Sequence, residues 1–177
     1  MRKILYSLPV LLVSALIIYL VYGLYAKQTA PSPWVGKEIP EFSLSTQTSR
    51  DLTDQSLKGK PCLVTFFASW CFSCRVEHKM LGEISQKYRL PLYGIAYRDD
   101  EKAVMTWLAK FGNPFVQIGF DVLGEVGATW GIMGVPETFL LDDQGVVRHH
   151  VRGALLNDDA IQGLERAIKT VNKQKSL

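Results

Sequence analysis

The apolar run Leu63-Val64-Thr65-Phe66-Phe67, followed at once by Ala68-Ser69-Trp70-Cys71-Phe72-Ser73-Cys74-Arg75-Val76-Glu77-His78, is the stretch that most restricts how this chain can fold. A short apolar run bounded by turn residues reads as a buried strand. The pattern then turns helical from about Phe72 to Tyr88, so both cysteines fall where a strand gives way to a helix. Cys71 is expected at or near the N-cap, where unpaired backbone N–H groups and the helix macrodipole favour negative charge. A thiolate is such a charge, and it is the form of cysteine that attacks disulfides. Cys74 lies one helical turn on, close enough to close a small ring with Cys71. The arrangement points to a pair that cycles between dithiol and disulfide. Half of a zinc site is the competing reading, but zinc usually takes four Cys or His ligands. Beyond the pair the chain has only Cys62, His78, His149 and His150, and of these only His78 shares a helix face with Cys74.

From Ile4 to Ala26 there is no charged residue. About 23 residues of helix span roughly 34 Å, enough for a bilayer core of about 30 Å. Tyr19, Tyr22 and Tyr25 gather at the far end, as aromatics do at a membrane interface, and Arg2 and Lys3 argue that the N-terminus stays in the cytoplasm. The expected organisation is a cytoplasmic N-terminus (1–3), a transmembrane signal-anchor (4–26), a linker carrying Pro31, Pro33 and Gly36 (27–37) and an exported domain (38–177). A cleaved signal peptide is the alternative. Its apolar region is usually shorter and ends in a small-x-small site, for which Leu24-Tyr25-Ala26 is a poor match. Both readings deliver the domain to the same side of the membrane. Discounting Arg2 and Lys3 brings the net charge from +3 to +1. No basic stripe is visible, which argues against a nucleic-acid partner. Cys62, the odd cysteine of an exported domain, is expected to be buried as a small hydrophobe, with a regulatory or intermolecular role as the alternative.

Short alternations and turn residues between Ile39 and Leu57 predict a strand or hairpin, then a helical turn near Thr53–Leu57. After the cysteine-bearing helix, Leu92–Tyr97 reads as a second core strand. Asp99 or Asp100 is placed to cap a helix carrying Val104, Trp107, Leu108 and Phe111. A third strand over Phe115–Phe120 and a short helix over Gly124–Trp130 follow. Phe139-Leu140-Leu141 and Val146-Val147, joined by Asp142-Asp143-Gln144-Gly145, predict a hairpin. Asn157 or Asp158 caps a last amphipathic helix on Ile161, Leu164, Ile168 and Val171, before a polar, frayed tail from Asn172. Strands alternating with helices and closing with a hairpin and a helix predict an α/β domain with a mixed central sheet between helices.

Trp70-Cys71-x-x-Cys74 after an apolar strand, with Pro136 just before a later strand, resembles the thioredoxin superfamily. That resemblance implies a thioredoxin-like fold with a cis Val135-Pro136 bond packed beside Cys71, and a Val135 backbone free to pair with a bound substrate strand. A cis X–Pro bond marks a specific local geometry. Over nearly the whole exported domain the chain is similar to the CcmG/DsbE family, the membrane-anchored thioredoxin-like proteins of cytochrome c maturation. The matching residues are Trp70 to His78, Tyr93-Gly94-Ile95, Trp107-Leu108 with Gly112-Asn113-Pro114, and Gly134-Val135-Pro136-Glu137-Thr138-Phe139-Leu140. Val135 stands where the family often has Ala, and Ala96 where it commonly has Asn. Thr65 occupies the place of the buried Asp of thioredoxin proper, so another group must manage protons.

Glu77, three residues after Cys74, and Glu137, directly after Pro136, are the candidates for that task. An anion near a thiolate raises the thiol pKa and opposes the helix dipole. Each has a plainer reading: Glu77 as an exposed charge paired with Lys79 or Lys87, and Glu137 as a surface residue at a strand edge. The resemblance implies a thiol–disulfide reductase in which Cys71 attacks, Cys74 resolves, Pro136 packs on the pair with Trp70 beside it, and Val135, Pro136 and Phe72 line the substrate groove. It implies apocytochrome c, or another thiol-carrying component of its maturation, as the substrate. It further implies a DsbD or CcdA-type membrane reductant, a single pass through the inner membrane with a monomeric domain on the periplasmic side, and no cofactor or metal beyond the disulfide itself. The alternatives are a general oxidase or isomerase, a copper metallochaperone using Cys71, Cys74 and His78, and a scaffold without redox turnover.

Overall fold

A computed structural model describes the backbone of residues 2–29 and 32–174, with side chains described for Pro9, residues 11–23 and residues 32–173. The chain divides into two units, Met1–Pro33 and Trp34–Leu177. The first contains one helix, α1 (Arg2–Thr29). Among the described residues no helix is long and apolar enough to cross a membrane; the span expected over 4–26 lies partly outside them.

In the second unit a two-residue antiparallel ladder pairs β1 (Ser43–Leu44) with β2 (Leu52–Thr53), and a 3-10 turn follows at Gln55–Leu57. Then come β3 (Cys62–Phe67), α2 (Phe72–Tyr88), β4 (Leu92–Tyr97), α3 (Glu101–Phe111), β5 (Gln117–Asp121), α4 (Glu125–Thr129), β6 (Glu137–Leu141), β7 (Val147–Arg152) and α5 (Asp158–Gln174). The five longer strands form one sheet in the order β5-β4-β3-β6-β7. β3, β4 and β5 run parallel, whereas β6 is antiparallel to β3 and β7 antiparallel to β6. Parallel neighbours need crossovers, and α2 and α3 supply them. This is the expected mixed-sheet, thioredoxin-like α/β architecture.

All six residues of β3 are buried, which is what a central strand covered on both faces requires. On one face Leu63 and Phe67 meet Leu81 and Ile84 of α2, Val104 and Leu108 of α3, and Leu164 and Ile168 of α5. On the other, Val64 and Phe66 pack with Leu44, Leu52, Leu57 and the fully buried Trp130, whose ring stands edge-on to Phe42, Phe66 and Phe139. Cys62 lies on this second face, without surface exposure, and burial pushes its thiol up to about 12. It is therefore an inert core residue.

Some boundaries differ from expectation. β5 starts at Gln117 rather than Phe115, because Asn113 Oδ1 accepts the Phe115 N–H in a turn and the Val116 N–H reaches the Leu92 carbonyl only afterwards. At the end of the stretch expected as a linker over 27–37, the Gly36 N–H donates to the Val147 carbonyl, and the Val147 N–H to the Lys37 carbonyl. The final helix continues through Asn172 to Gln174, since Val171 still packs in the core, and residues 175–177 lie outside the described residues. Asn157, not Asp158, caps α5 by accepting the Ala160 N–H.

Gly94 in β4 is a position where size is decisive. A Cβ there would come within 2.7 Å of the Phe67 ring and 3.1 Å of Phe115. Phe67 cannot yield, because it is stacked on Phe115 and flanked by Trp107. Gly94→Ala is expected to lower stability by about 1–3 kcal/mol through overpacking, read as a lower urea midpoint at unchanged m-value.

Candidate active site

β3 ends at Phe67, and the chain turns through Ala68-Ser69-Trp70 to bring Cys71 to the start of α2. The turn is held from two sides. Cys71 N–H donates to the Ala68 carbonyl, and the Ser69 N–H donates to the Asp99 carboxylate. Asp99 is buried after β4 and also accepts the Asp100 N–H, while Asp100 caps α3 through the Ala103 N–H. Of the two aspartates expected to compete for one cap, one makes it and the other ties the redox turn to the neighbouring strand.

Cys71 is the N-cap of α2, with its sulfur accepting the Cys74 N–H at 3.1 Å. The two cysteines are joined as a disulfide. Cys71 is the more accessible, at 7% exposure against 2% for Cys74. The Val135–Pro136 bond is cis, and the Val135 carbonyl oxygen lies 3.7 Å from the Cys71 sulfur. Trp70 and Phe72 flank the pair and are largely exposed, with Trp70 Nε1–H anchored on the Arg98 carbonyl. The stretch Trp70–Phe72 and the Val135–Pro136 bond, more than sixty residues apart in sequence, thus meet at the Cys71 sulfur.

The two acids separate. Glu77 is buried on the α2 face, and its carboxylate accepts the Leu155 N–H at 2.7 Å. Burial raises it from 4.5 to about 7, against that hydrogen bond. Lys79 pairs with Glu83 and Lys87 with Glu165, so neither supports the exposed-charge reading of Glu77. Glu137 is equally buried but points the other way. Its neighbour Thr138 meets Thr65 on the α2 face, so alternation sends Glu137 to the face of Phe66 and Phe139. There it accepts the Met133 N–H and pairs with His150 Nε2, each at 2.7 Å, and the His150 ring stacks on Phe139. Glu137, a candidate from the sequence for handling protons near the pair, thus has its carboxylate on the opposite face of the sheet, where it braces the loop that carries Val135 and the cis proline. Gly153 N–H, bonded to the Pro136 carbonyl, holds the loop's other end.

His78 is buried, with Nε2 on the Gly112 carbonyl and its ring edge against Trp107. The third ligand of the copper reading is committed to packing. Among the described residues no group of three or more His, Cys, Asp or Glu side chains could hold a metal ion.

Residues 35–150 match the model of the AhpC/TSA family. The chain is 39% identical over 171 residues to a thiol:disulfide interchange protein DsbE of Pseudomonas fluorescens, covering 96% of this chain and 94% of that one. It is 35% identical to the DsbE of Escherichia coli K12, over 70% and 68% of the two chains. The chain belongs to the DsbE family of thiol:disulfide interchange proteins. A putative DsbE from Chlorobium tepidum shares the fold, with a TM-score of 0.70 at 23% identity, covering 80% of this chain and 99% of that one. The activity of this DsbE family member is thiol–disulfide exchange. Asp99 and His150 are the supports that sequence reasoning missed as such. His150 stands opposite Phe139 and two positions from Arg152, the partner of Glu137, a placement that only the strand register gives.

Two outcomes follow from the buried acids. Glu77 keeps its proton in the folded chain to about pH 7 but loses it near 4.5 when unfolded, so stability falls as pH rises through that window and then levels off. In Glu77→Gln the slope of unfolding free energy between these pH values should flatten, measured by urea titration. His150→Ala leaves a buried carboxylate short of a partner and is expected to cost about 1–3 kcal/mol; His150→Gln, which retains a donor, should recover part of the loss in the same titration.

Proposed function

We propose that this protein is a dedicated reductase, acting on the Cys-x-x-Cys-His disulfide of apocytochrome c, or on another thiol-carrying component of its maturation, before haem attachment. The observation that carries the reading is a disulfide at the N-cap of α2, its more accessible sulfur beside the carbonyl that precedes a cis proline. In the reduced form the Cys71 thiolate attacks one sulfur of the substrate disulfide. The substrate S–S bond breaks, a Cys71–substrate disulfide forms, and one substrate thiolate leaves and takes up a proton. Cys74 loses its proton and attacks the Cys71 sulfur. The second substrate thiolate is released, and the Cys71–Cys74 disulfide closes. Two electrons pass to the substrate.

Glu77 is the acceptor proposed for the Cys74 proton. It lies one helical turn from Cys74, and a carboxylate that titrates near 7 is poised for proton transfer at neutral pH. As it ionises it also opposes the helix terminus, disfavouring a stable thiolate and turning the couple toward reducing behaviour, the opposite of DsbA. Val135 offers its backbone to the substrate strand, with Phe72 and Trp70 as apolar flanks. The pair is returned to the dithiol by a membrane thiol donor of the DsbD or CcdA type. Residues 4–26 anchor the chain in the inner membrane, and the monomeric domain works on the periplasmic side. The uncharged run with Arg2 and Lys3 before it supports this placement.

Equilibration of the chain with glutathione tests the reading: the midpoint should lie well below that of glutathione, and an oxidising midpoint would sink it. Cys74→Ser should accumulate mixed disulfides through Cys71, with apocytochrome c among the trapped proteins on non-reducing gels.

A further inference from the structure

Against Ser69 and Arg75, which flank the redox pair in sequence, lies a cavity of about 530 Å³. Ser69 and Arg75 line one wall, two residues before Cys71 and one after Cys74. Asp100, the N-cap of α3, and Lys102, Trp107, Lys110 and Phe111 of α3 line the other. Two aromatic rings and three cations meet there, with Asp100 the one acid of the lining. The Arg75 guanidinium lies 4.8 Å from the centre of the Phe72 ring and 5.7 Å from that of Phe111, and the Lys110 ammonium stands over the same Phe111 ring. Rings stacked on a guanidinium fix its plane but leave its in-plane N–H donors open. Among the described residues no carboxylate lies within ion-pair distance of Arg75, Lys102 or Lys110, and no acceptor takes the Arg75 guanidinium donors. Of the nearby acids, Asp100 lines the cavity but spends its Oδ1 on the Ala103 N–H, while Asp99, which accepts the Ser69 N–H, and Glu101 lie outside the lining. A pre-oriented fork with two further cations at its side is suited to a carboxylate.

We infer that this cavity is a specificity subsite for an acidic residue of the polypeptide whose disulfide Cys71 attacks. Arg75 receives the carboxylate bidentately, Lys102 and Lys110 add charge, and Phe111 receives the apolar part of the segment. The subsite deepens the reductase reading and rests on it. Its position commits it to a residue near the substrate disulfide. A segment covers about 3.3 Å per residue when extended, so an acid two to four residues from the attacked cysteine spans roughly 7–13 Å. The cavity is open to solvent on the same surface as Phe72, so a chain bound across the pair can enter it without a movement of α3.

The test uses the reduced full chain in neutral detergent with synthetic peptides closed by a Cys-x-x-Cys disulfide. The peptides are identical except for Glu or Gln at positions two to four residues on either side of the ring. At one or more positions the Glu peptide should be reduced with a kcat/KM about five-fold above its Gln counterpart, the scale of an exposed but pre-organised ion pair. That ratio should shrink with added salt and fall to near unity in Arg75→Gln. It should be partly lost in Arg75→Lys, which keeps the charge without the fork, and in Lys102→Gln with Lys110→Gln. Equal rates for Glu and Gln at every position would overturn the subsite while leaving the reductase reading intact, as would a ratio that persists in Arg75→Gln. Failure to reduce any of the peptides would overturn both.

Discussion

The first turn of a helix presents backbone N–H groups with no partner inside the helix, and a sulfur placed there can accept them in either of its redox states. Cys71 at the N-cap of α2 uses that position, and most of the surrounding structure serves to hold it. β3 delivers the chain to the turn, and Asp99 on the adjoining strand end fixes Ser69. The cis-proline loop closes over the sulfur from β6, and the Arg98 carbonyl holds Trp70. Three stretches far apart in sequence, Phe67–Cys74, Arg98–Asp99 and Met133–Pro136, converge on two sulfur atoms. The accessible sulfur is thereby presented without being loosely held.

Two buried carboxylates, read from the sequence as alternatives for one task, divide the work across the sheet. Glu77 shares the α2 face with the cysteines and is held by the Leu155 amide, where loss of solvent keeps it protonated to near neutrality. A buried acid of this kind can exchange a proton at working pH without becoming a permanent charge. Glu137 lies on the opposite face, with Met133 and His150 as its partners. It holds the start of the Met133–Pro136 loop, whose Val135 carbonyl lies beside the Cys71 sulfur. The place of thioredoxin's buried Asp is filled by Thr65, whose hydroxyl is bonded to Thr138. No acid is offered from β3.

Much of the fold was legible because its signals are local. The run Leu63–Phe67, the helix Phe72–Tyr88 and the strand Leu92–Tyr97 appear where hydrophobic spacing and turn residues put them. The misplacements occur where a tertiary contact outweighs local pattern. Phe115 looks like the start of a strand, but Asn113 holds it in a turn and its ring is spent on Phe67. Gly36 and Lys37 look like linker, yet their backbone bonds to Val147 at the start of β7. Asp99 and Asp100 are interchangeable as caps in sequence, and only the approach of Ser69 tells them apart.

The sequence by itself determined the redox pair, its place at a strand-to-helix junction and the family to which both belong, because residue type and short-range spacing suffice for these. Tertiary structure alone decided the partners of each buried polar group. Whether Glu77 faced water or the core depended on how α2 packs on the sheet, whereas the side of the sheet that took Glu137, and its meeting with His150, depend on strand register, which pairs Glu137 with Arg152 and Phe139 with His150. A shift of one residue in that register would reverse the strand faces. The same holds for the cation-rimmed cavity, since Arg75 on α2 and Lys102 and Lys110 on α3 are brought together only by the packing of two helices on one face of the sheet.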